Sequence, residues 1–262
     1  MDYKKINKES WNKRTEVHYT SEFYNNKAFI AGAQSLRSIE LELLGDVSGL
    51  SILHLQCHFG QDTISLARMG ALVTGVDLSN KAIEKAQELA KITQTDANFI
   101  CCDIYDLPKH LDKKFDLVFT SYGTIGWLPD LTQWAQVIQC FLKPDGRFIM
   151  AEFHPVVWMF DDDFTHVKYN YANDGPIIEA LDGTYTNPEA KIHGDYVTWN
   201  HGIAEVLTAL LDHGLQINTF KEYDYSPYDC FSNTVKVGPN QFRIKTMGNK
   251  IPMVYSIAAT LL

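Results

Sequence analysis

Side chains able to do polar chemistry collect in this chain just after short apolar runs. Gln56, Cys57, His58 and Gly60 follow one run, Asp77 a second, Asp103 a third, Ser121 and Tyr122 a fourth, and His154 a fifth. Asp77 lies 17 residues beyond Gly60, near the spacing at which an acid at a strand end meets ribose hydroxyls. A carboxylate suits a cis-diol because it can accept both hydroxyl protons. Asp103 could likewise accept from an adenine exocyclic amine. A loop that wraps such a cofactor ordinarily uses glycines, which allow close backbone approach and φ > 0. Here "HLQCHFGQD" keeps only Gly60, with Gln56 and His58 where two more are expected. That loss predicts either a different loop path or a side-chain role. Asp62 falls in the first turn of the next helix, where its charge suits the helix N-terminus, and His54 is expected to point into the fold.

These positions need elements that hold them. "LSILHLQC", "ALVTGVD", "ANFICCD", "FDLVFTSYG" and "RFIMAEFH" read as five strands. They alternate with helices over "QDTISLARMG", "NKAIEKAQELAKIT" (Ser79 as N-cap) and "DLTQWAQVIQCFLKPDG", the last ending in a Pro-Asp-Gly turn. Strands alternating with helices of this length predict a parallel, doubly wound α/β sheet with right-handed crossovers. Residues 6–19 and 29–44 read as helices of an N-terminal cap. Residues 155–198, rich in aromatics, Asp, Gly and Pro, break the rhythm as irregular structure with short hairpins. It resumes with a helix in "NHGIAEVLTALLDHG" and strands in "LQINTFKEY" and "PMVYSIAATLL". The expectation is one domain over 1–262: a cap (1–48), a cofactor-binding core (49–154), a substrate lid (155–198) and the remainder of the sheet (199–262). Ligands in such sheets bind at the carboxyl ends of the strands, near the point where strand order reverses.

Taken in order, "ILHLQCHFGQD", "VTGVDLS", "FICCDIYDLP", "FDLVFTSYG" and "LKPDGRFIMAEFHP" resemble the motifs of class I S-adenosylmethionine-dependent methyltransferases. Within that superfamily the chain is similar to an uncharacterised bacterial group of small-molecule methyltransferases, to which "WNKRTEVHYTSEFY", "EFHPVVWMFDD" and "TWNHGIAEVLTAL" also point. The core resemblance covers about residues 50–154. It implies a Rossmann-like, mostly parallel seven-stranded sheet and S-adenosyl-L-methionine as cofactor. It also implies that the loop from Gln56 to Gly60 wraps the methionine moiety and that Asp77 takes the ribose, with Leu78 on the adenine. Asp103 and Ile104 would contact the adenine edge, and Ser121 and Tyr122 would lie beside the sulfonium. The chain departs from the family's acid and two further glycines at His54, Gln56 and His58; the Gln56 amide could bond the methionine end instead.

Each assignment has a plainer counterpart. Asp77 could cap a helix, though Ser79 already fills that place; Asp103 could satisfy turn amides; Gln56 could bond its own loop. Trp11, Arg14 and His18, at i, i+3 and i+7, could merely pack their helix on the core. A cation on a burying face wants an anion, however, and the cofactor's carboxylate is one. Methyl transfer needs a base only for a protonated nucleophile, and His154, His201 and Tyr122 are the candidates. Trp127, Trp158, Phe160, Tyr196 and Trp199 are expected to wall an apolar acceptor pocket, suited to a small aromatic or a cationic amine.

Composition sets the outer bounds. Hydrophobic residues at 45% suffice for a buried core, and a net charge of −9 opposes nucleic-acid or anionic-membrane partners. The five cysteines form no CxxC pair, so free thiols in a reducing cytoplasm are expected. No apolar signal core opens the chain, and no apolar run reaches the ~18 residues of a membrane span. His154, His193 and His201 lack metal-ligand spacing, "FDDDF" reads as a solvated turn, and no metal is expected. The chain could pair as a homodimer. A non-catalytic cofactor sensor is the main alternative to an enzyme acting on a nitrogen or oxygen nucleophile of a small molecule. A nicotinamide oxidoreductase is disfavoured by the absence of GxGxxG.

Overall fold

Asp2 accepts a hydrogen bond from the Lys5 amide and so starts α1 (Tyr3–Thr20) in the computed structural model, which describes residues 1–262. The single helix expected over 29–44 is two short ones, α2 (Asn26–Ile30) and α3 (Ser38–Leu44). Gly32, at φ +106°, breaks the chain between them, and the Ser35 hydroxyl turns away to bond the Asp62 carboxylate. The alternation then runs β1 (Ser51–Leu55), α4 (Gln61–Arg68), β2 (Leu72–Asp77), α5 (Asn80–Ile92), β3 (Asn98–Cys101), β4 (Phe115–Ser121), α6 (Leu131–Phe141) and β5 (Leu142–Phe153). The expected Ser79 cap is present, its hydroxyl accepting from the Ala82 amide. Next come β6 (Ile177–Asp182), β7 (His193–Thr198), α7 (Ile203–Asp212), β8 (Leu215–Tyr223), β9 (Thr234–Gly238), β10 (Gln241–Ile244) and β11 (Val254–Leu261).

Seven strands form one sheet in the order β3-β2-β1-β4-β5-β11-β8. The first five run parallel, and β11 lies antiparallel between β5 and β8. Parallel strands are buried on both faces and therefore read as continuous apolar runs; every residue of β1 is buried. On one face α6 and α7 pack Trp134, Ile138, Val206 and Leu210 onto Val118, Phe148 and Ile257. On the other, α3 and α4 bring Leu44 and Leu66 against Ile52, Leu117 and Ile149. Strand order reverses between β1 and β4, so the residues after those two strands open into one crevice.

Residues 155–198 hold the β6–β7 hairpin, and α1 is bolted to it. The buried Asn7 amide donates to the Val197 carbonyl and accepts from the Val197 amide, both at 2.8 Å. These are the two bonds a neighbouring strand would otherwise make. The β9–β10 hairpin, between β8 and β11, escaped the sequence reading. No helix is long and apolar enough to cross a membrane.

Candidate functional site

The loop after β1 keeps the backbone path that glycines would take. Gln56, His58 and Gly60 all lie in the left-handed region, at φ +54°, +50° and +78°. A Cβ at Gly60 would fall 2.7 Å from the Phe99 ring, so only that position demands glycine on steric grounds as well. A side chain held left-handed costs about 1–2 kcal/mol, and the surroundings must hold it there. The Gln56 Nε2 donates to the Thr124 carbonyl at 2.8 Å, and the His58 amide donates to Asp77 Oδ2 at 2.8 Å. The expected alternative of a different loop path is thus corrected: the turn survives, and Gln56 adds a side-chain bond to the β4 loop. Cys57 is buried beneath it, and His54 points into the fold as expected, bonding Thr63 Oγ1 at 2.8 Å.

Three buried polar atoms around this loop have no partner: Gln56 Oε1, His58 Nδ1 and His18 Nε2. The rings of His18 and His58 meet through His18 Nδ1 and His58 Nε2 at 3.0 Å. Burial holds both below the usual histidine range, His58 at about 3, so the pair is neutral and shares one proton between the facing nitrogens. Beside them Arg14, 9% exposed, has its guanidinium 5.7, 5.6 and 4.9 Å from the ring centroids of Trp11, Trp127 and Tyr196. Its Nε bonds Ser10, and no carboxylate lies within ion-pair distance. A buried cation without an anion is costly, and desolvation lowers its pKa. The face Trp11–Arg14–His18 therefore turns toward the loop with a positive charge to spare.

At the next strand ends, Asp77 accepts from the amides of His58 and Ser79, each at 2.8 Å, and burial pushes its carboxyl up to about 6. Each oxygen keeps a lone pair for a further donor. Asp103 satisfies the Tyr105 amide at 2.9 Å and pairs with Lys4 at 3.1 Å. Here the plainer turn-acid job is the one observed. Ile104 is buried in the core, and Leu78 is half-buried.

After β4, Ser121 Oγ donates to Asp62 at 3.2 Å, and Asp62 also receives Ser35 at 2.6 Å. Asp62 thus joins a side-chain network rather than only facing the helix N-terminus. Tyr122, at φ +24°, donates its hydroxyl to Glu40 Oε2 at 2.7 Å. Glu40 is wholly buried, and desolvation with the nearby Asp62 pushes it up to about 7. The Tyr228 ring lies 5.2 Å from that of Tyr122, and the Arg37 guanidinium sits 4.8 Å from the Tyr228 ring centroid. Tyr24 and Tyr185 join hydroxyls nearby. The loop itself is fixed by Glu152, whose carboxylate accepts from the amides of Gly123, Thr124 and Ile125 and from the Thr124 hydroxyl.

Two groups of expectations are corrected. His154 accepts the Val156 amide on Nδ1 at 3.2 Å, so its protonated Nε2 donates to Glu222 at 2.9 Å, on the β8 side of the sheet. His201 donates from Nε2 to the Leu128 carbonyl at 2.8 Å, and its Nδ1 faces Glu205 at 2.9 Å. Neither has a nitrogen left for a substrate. Of the five aromatics expected in one pocket, only Trp127 and Tyr196 meet, at 5.8 Å beside Arg14. Trp158 packs on Phe153 and Phe231, Phe160 on Phe164, and the buried Trp199 on Tyr3. Glu40, Arg37, Tyr228, Tyr24, Tyr185 and Glu152 were missed; among them only Glu152, next to the last residue of β5, carried a positional signal.

Residues 52–146 match the family described as a methyltransferase domain. An uncharacterized methyltransferase of Synechocystis is 34% identical over 133 residues, half of this chain and 60% of its own length. The ubiquinone biosynthesis O-methyltransferase of Coxiella burnetii is 30% identical over 116 residues, 44% of this chain and 48% of its own. This chain thus spans about half the length of the curated relatives it matches. An S-adenosylmethionine-dependent methyltransferase structure from Mesorhizobium loti aligns over 88% of this chain and 99% of its own, with TM-score 0.62 and 22% identity. One from Clostridium acetobutylicum covers 97% and 98%, at TM-score 0.56 and 17% identity. At these identities the structures share the fold.

Proposed function

We propose that the chain is a class I S-adenosylmethionine-dependent methyltransferase that methylates a nitrogen or oxygen of a small molecule. The observation that carries the reading is the left-handed loop at Gln56, His58 and Gly60, ringed by unpartnered polar atoms and an unpaired buried arginine. This donor set fits the cofactor. Arg14, closed over by Trp11 and His18, would hold its carboxylate, and Gln56, His58 and the backbone through Cys57 and Gly60 its methionine end. Asp77 would take the ribose on its spare lone pairs, with Leu78, Asp103 and Ile104 around the base and Asp62, Ser121 and Tyr122 at the β4 end.

When bound, the cofactor supplies a sulfonium methyl already activated for displacement. The chain's task is to align the acceptor and exclude water, which can account for about 7–11 kcal/mol of a barrier. Trp127 and Tyr196 meet beside Arg14, and Phe23 packs on Tyr24, Tyr185 and Tyr228, the last of which meets Tyr122, so aromatic walls stand at both ends of the proposed site. Such walls suit a small aromatic or amine acceptor. The five free thiols accord with work in the cytoplasm, and the net charge of −9 disfavours a nucleic-acid substrate.

Calorimetry with S-adenosylmethionine, S-adenosylhomocysteine and NAD, followed by a methylation screen of phenols, amines and carboxylates, tests this. Binding of both sulfur ligands and methylation of one class is expected. Binding of NAD alone would overturn the reading, and sulfur-ligand binding without turnover on any class would make the protein a sensor.

A further inference from the structure

We infer that Tyr122 and Glu40 together take up the proton of the methyl acceptor, whose nucleophilic atom therefore arrives as a phenol O–H or an ammonium N–H. The inference rests on the methyltransferase reading above. With His154 and His201 bonded elsewhere, Tyr122 is the one expected base left at a strand end beside the crevice. It is half-buried, whereas Glu40 behind it is wholly enclosed, so an acceptor can reach the carboxylate only through the phenol.

The geometry is that of a two-step relay. The Tyr122 hydroxyl donates to Glu40 Oε2 at 2.7 Å, while Glu40 Oε1 is held by the Arg37 amide at 3.1 Å. A proton leaving the acceptor atom passes to Tyr122 Oη as the tyrosine's own proton passes to Glu40 Oε2. The acceptor keeps its electron pair, the phenol ends neutral, and the carboxylate becomes a carboxylic acid. No Lys, Arg or His lies within ion-pair distance to hold Glu40 ionised. The charged and titratable groups facing it from neighbouring elements are Asp62 on α4, Tyr122 after β4, Tyr228 after β8 and Arg37 at the head of α3. Burial and Asp62 place Glu40 at about 7, where a proton acceptor is most effective at neutral pH. The strained φ of +24° at Tyr122 fixes the ring at this strand end, with its amide on the Ala151 carbonyl at 2.7 Å.

Infrared titration of the intact protein between about pH 5 and 9 should show a buried carboxylic-acid band that disappears near neutrality. The band should be missing in E40Q and should shift its midpoint in Y122F. With the phenol or amine found by screening, both variants should lose about 10²–10⁴-fold in kcat and lose the acidic limb of the pH–rate profile. The S-adenosylhomocysteine affinity of E40Q, by calorimetry, should stay that of the wild type, and E40D should recover part of the rate. An unchanged rate and pH profile in folded E40Q or Y122F overturns the relay, as does a wild-type protein with no carboxyl band titrating near neutrality. Failure of the wild type to bind S-adenosylhomocysteine would instead strike the methyltransferase reading itself.

Discussion

A pair of substitutions at position 56, one to alanine and one to glycine, reads out the strain in the loop. Gln56→Ala keeps a Cβ at φ +54° and removes the bond to the Thr124 carbonyl. Losing that bond costs about 0.5–1.5 kcal/mol, so the alanine variant should be less stable than wild type by about 1 kcal/mol. Gln56→Gly loses the same bond but relieves the left-handed penalty of about 1–2 kcal/mol. The extra freedom of glycine in the unfolded chain returns about 0.4–1 kcal/mol of that gain. The glycine variant should therefore exceed the alanine variant by about 0.5–1 kcal/mol, leaving it close to wild type. Urea unfolding at matched slopes measures both, and S-adenosylhomocysteine calorimetry on the same samples separates the backbone from the amide. A glycine variant that binds as tightly as wild type would mean that the amide only anchors the β4 loop. If the alanine variant proves as stable as the glycine variant, the residue is not held left-handed, and the case for a retained turn collapses.

Three other outcomes follow from the same contacts. Glu40 has its folded pKa raised from 4.5 to about 7, so its contribution is fully present below 4.5 and is lost as pH rises through 7; relative to E40Q, wild type should lose up to about 3 kcal/mol across that window in pH-resolved denaturation. Arg14→Met removes an unpaired buried cation, and should leave the free protein as stable or more so while weakening S-adenosylhomocysteine binding roughly 10–100-fold, the worth of about 1.5–3 kcal/mol for a charged hydrogen bond. Asn7→Leu strands both Val197 backbone groups, at about 1–3 kcal/mol each; limited proteolysis should cut within 155–198 well before the sheet, and equal resistance to wild type would show that the bolt is dispensable.

What the sequence could and could not disclose follows from how each contact is specified. Parallel strands are legible because burial on both faces forces continuous apolar runs between turn residues, and their ends pointed to Asp77, Ser121 and Tyr122. His154 misled because a place at a strand end does not say which partner the side chain reaches. Glu152 and His154 share one face, and from it Glu152 reaches back to the loop at 123–125 whereas His154 is turned to Glu222. The partners of Tyr122 were not legible at all. Glu40 lies 82 residues away on a helix whose start the sequence misplaced by ignoring Gly32, and Tyr228 belongs to a segment whose β9–β10 hairpin passed unrecognised. No local period fixes the register of such cap segments against a sheet.

The distribution of strain bears on which part of the crevice is built for function. Nine residues other than glycine have positive φ, and four of them are Asn or Asp, which tolerate that region in turns. Of the remaining five, Gln94 follows the end of α5 and Phe164 lies in the turn after residue 160. The other three, Gln56, His58 and Tyr122, stand at the ends of β1 and β4, on the two sides of the reversal in strand order. Strain that persists at one place must be over-determined by its surroundings, and here it is: by Thr124, by Asp77 and by Ala151. Gln56 and His58 are therefore side chains set on an intact left-handed turn, and the two positions without glycine change what the loop presents without changing the course it takes.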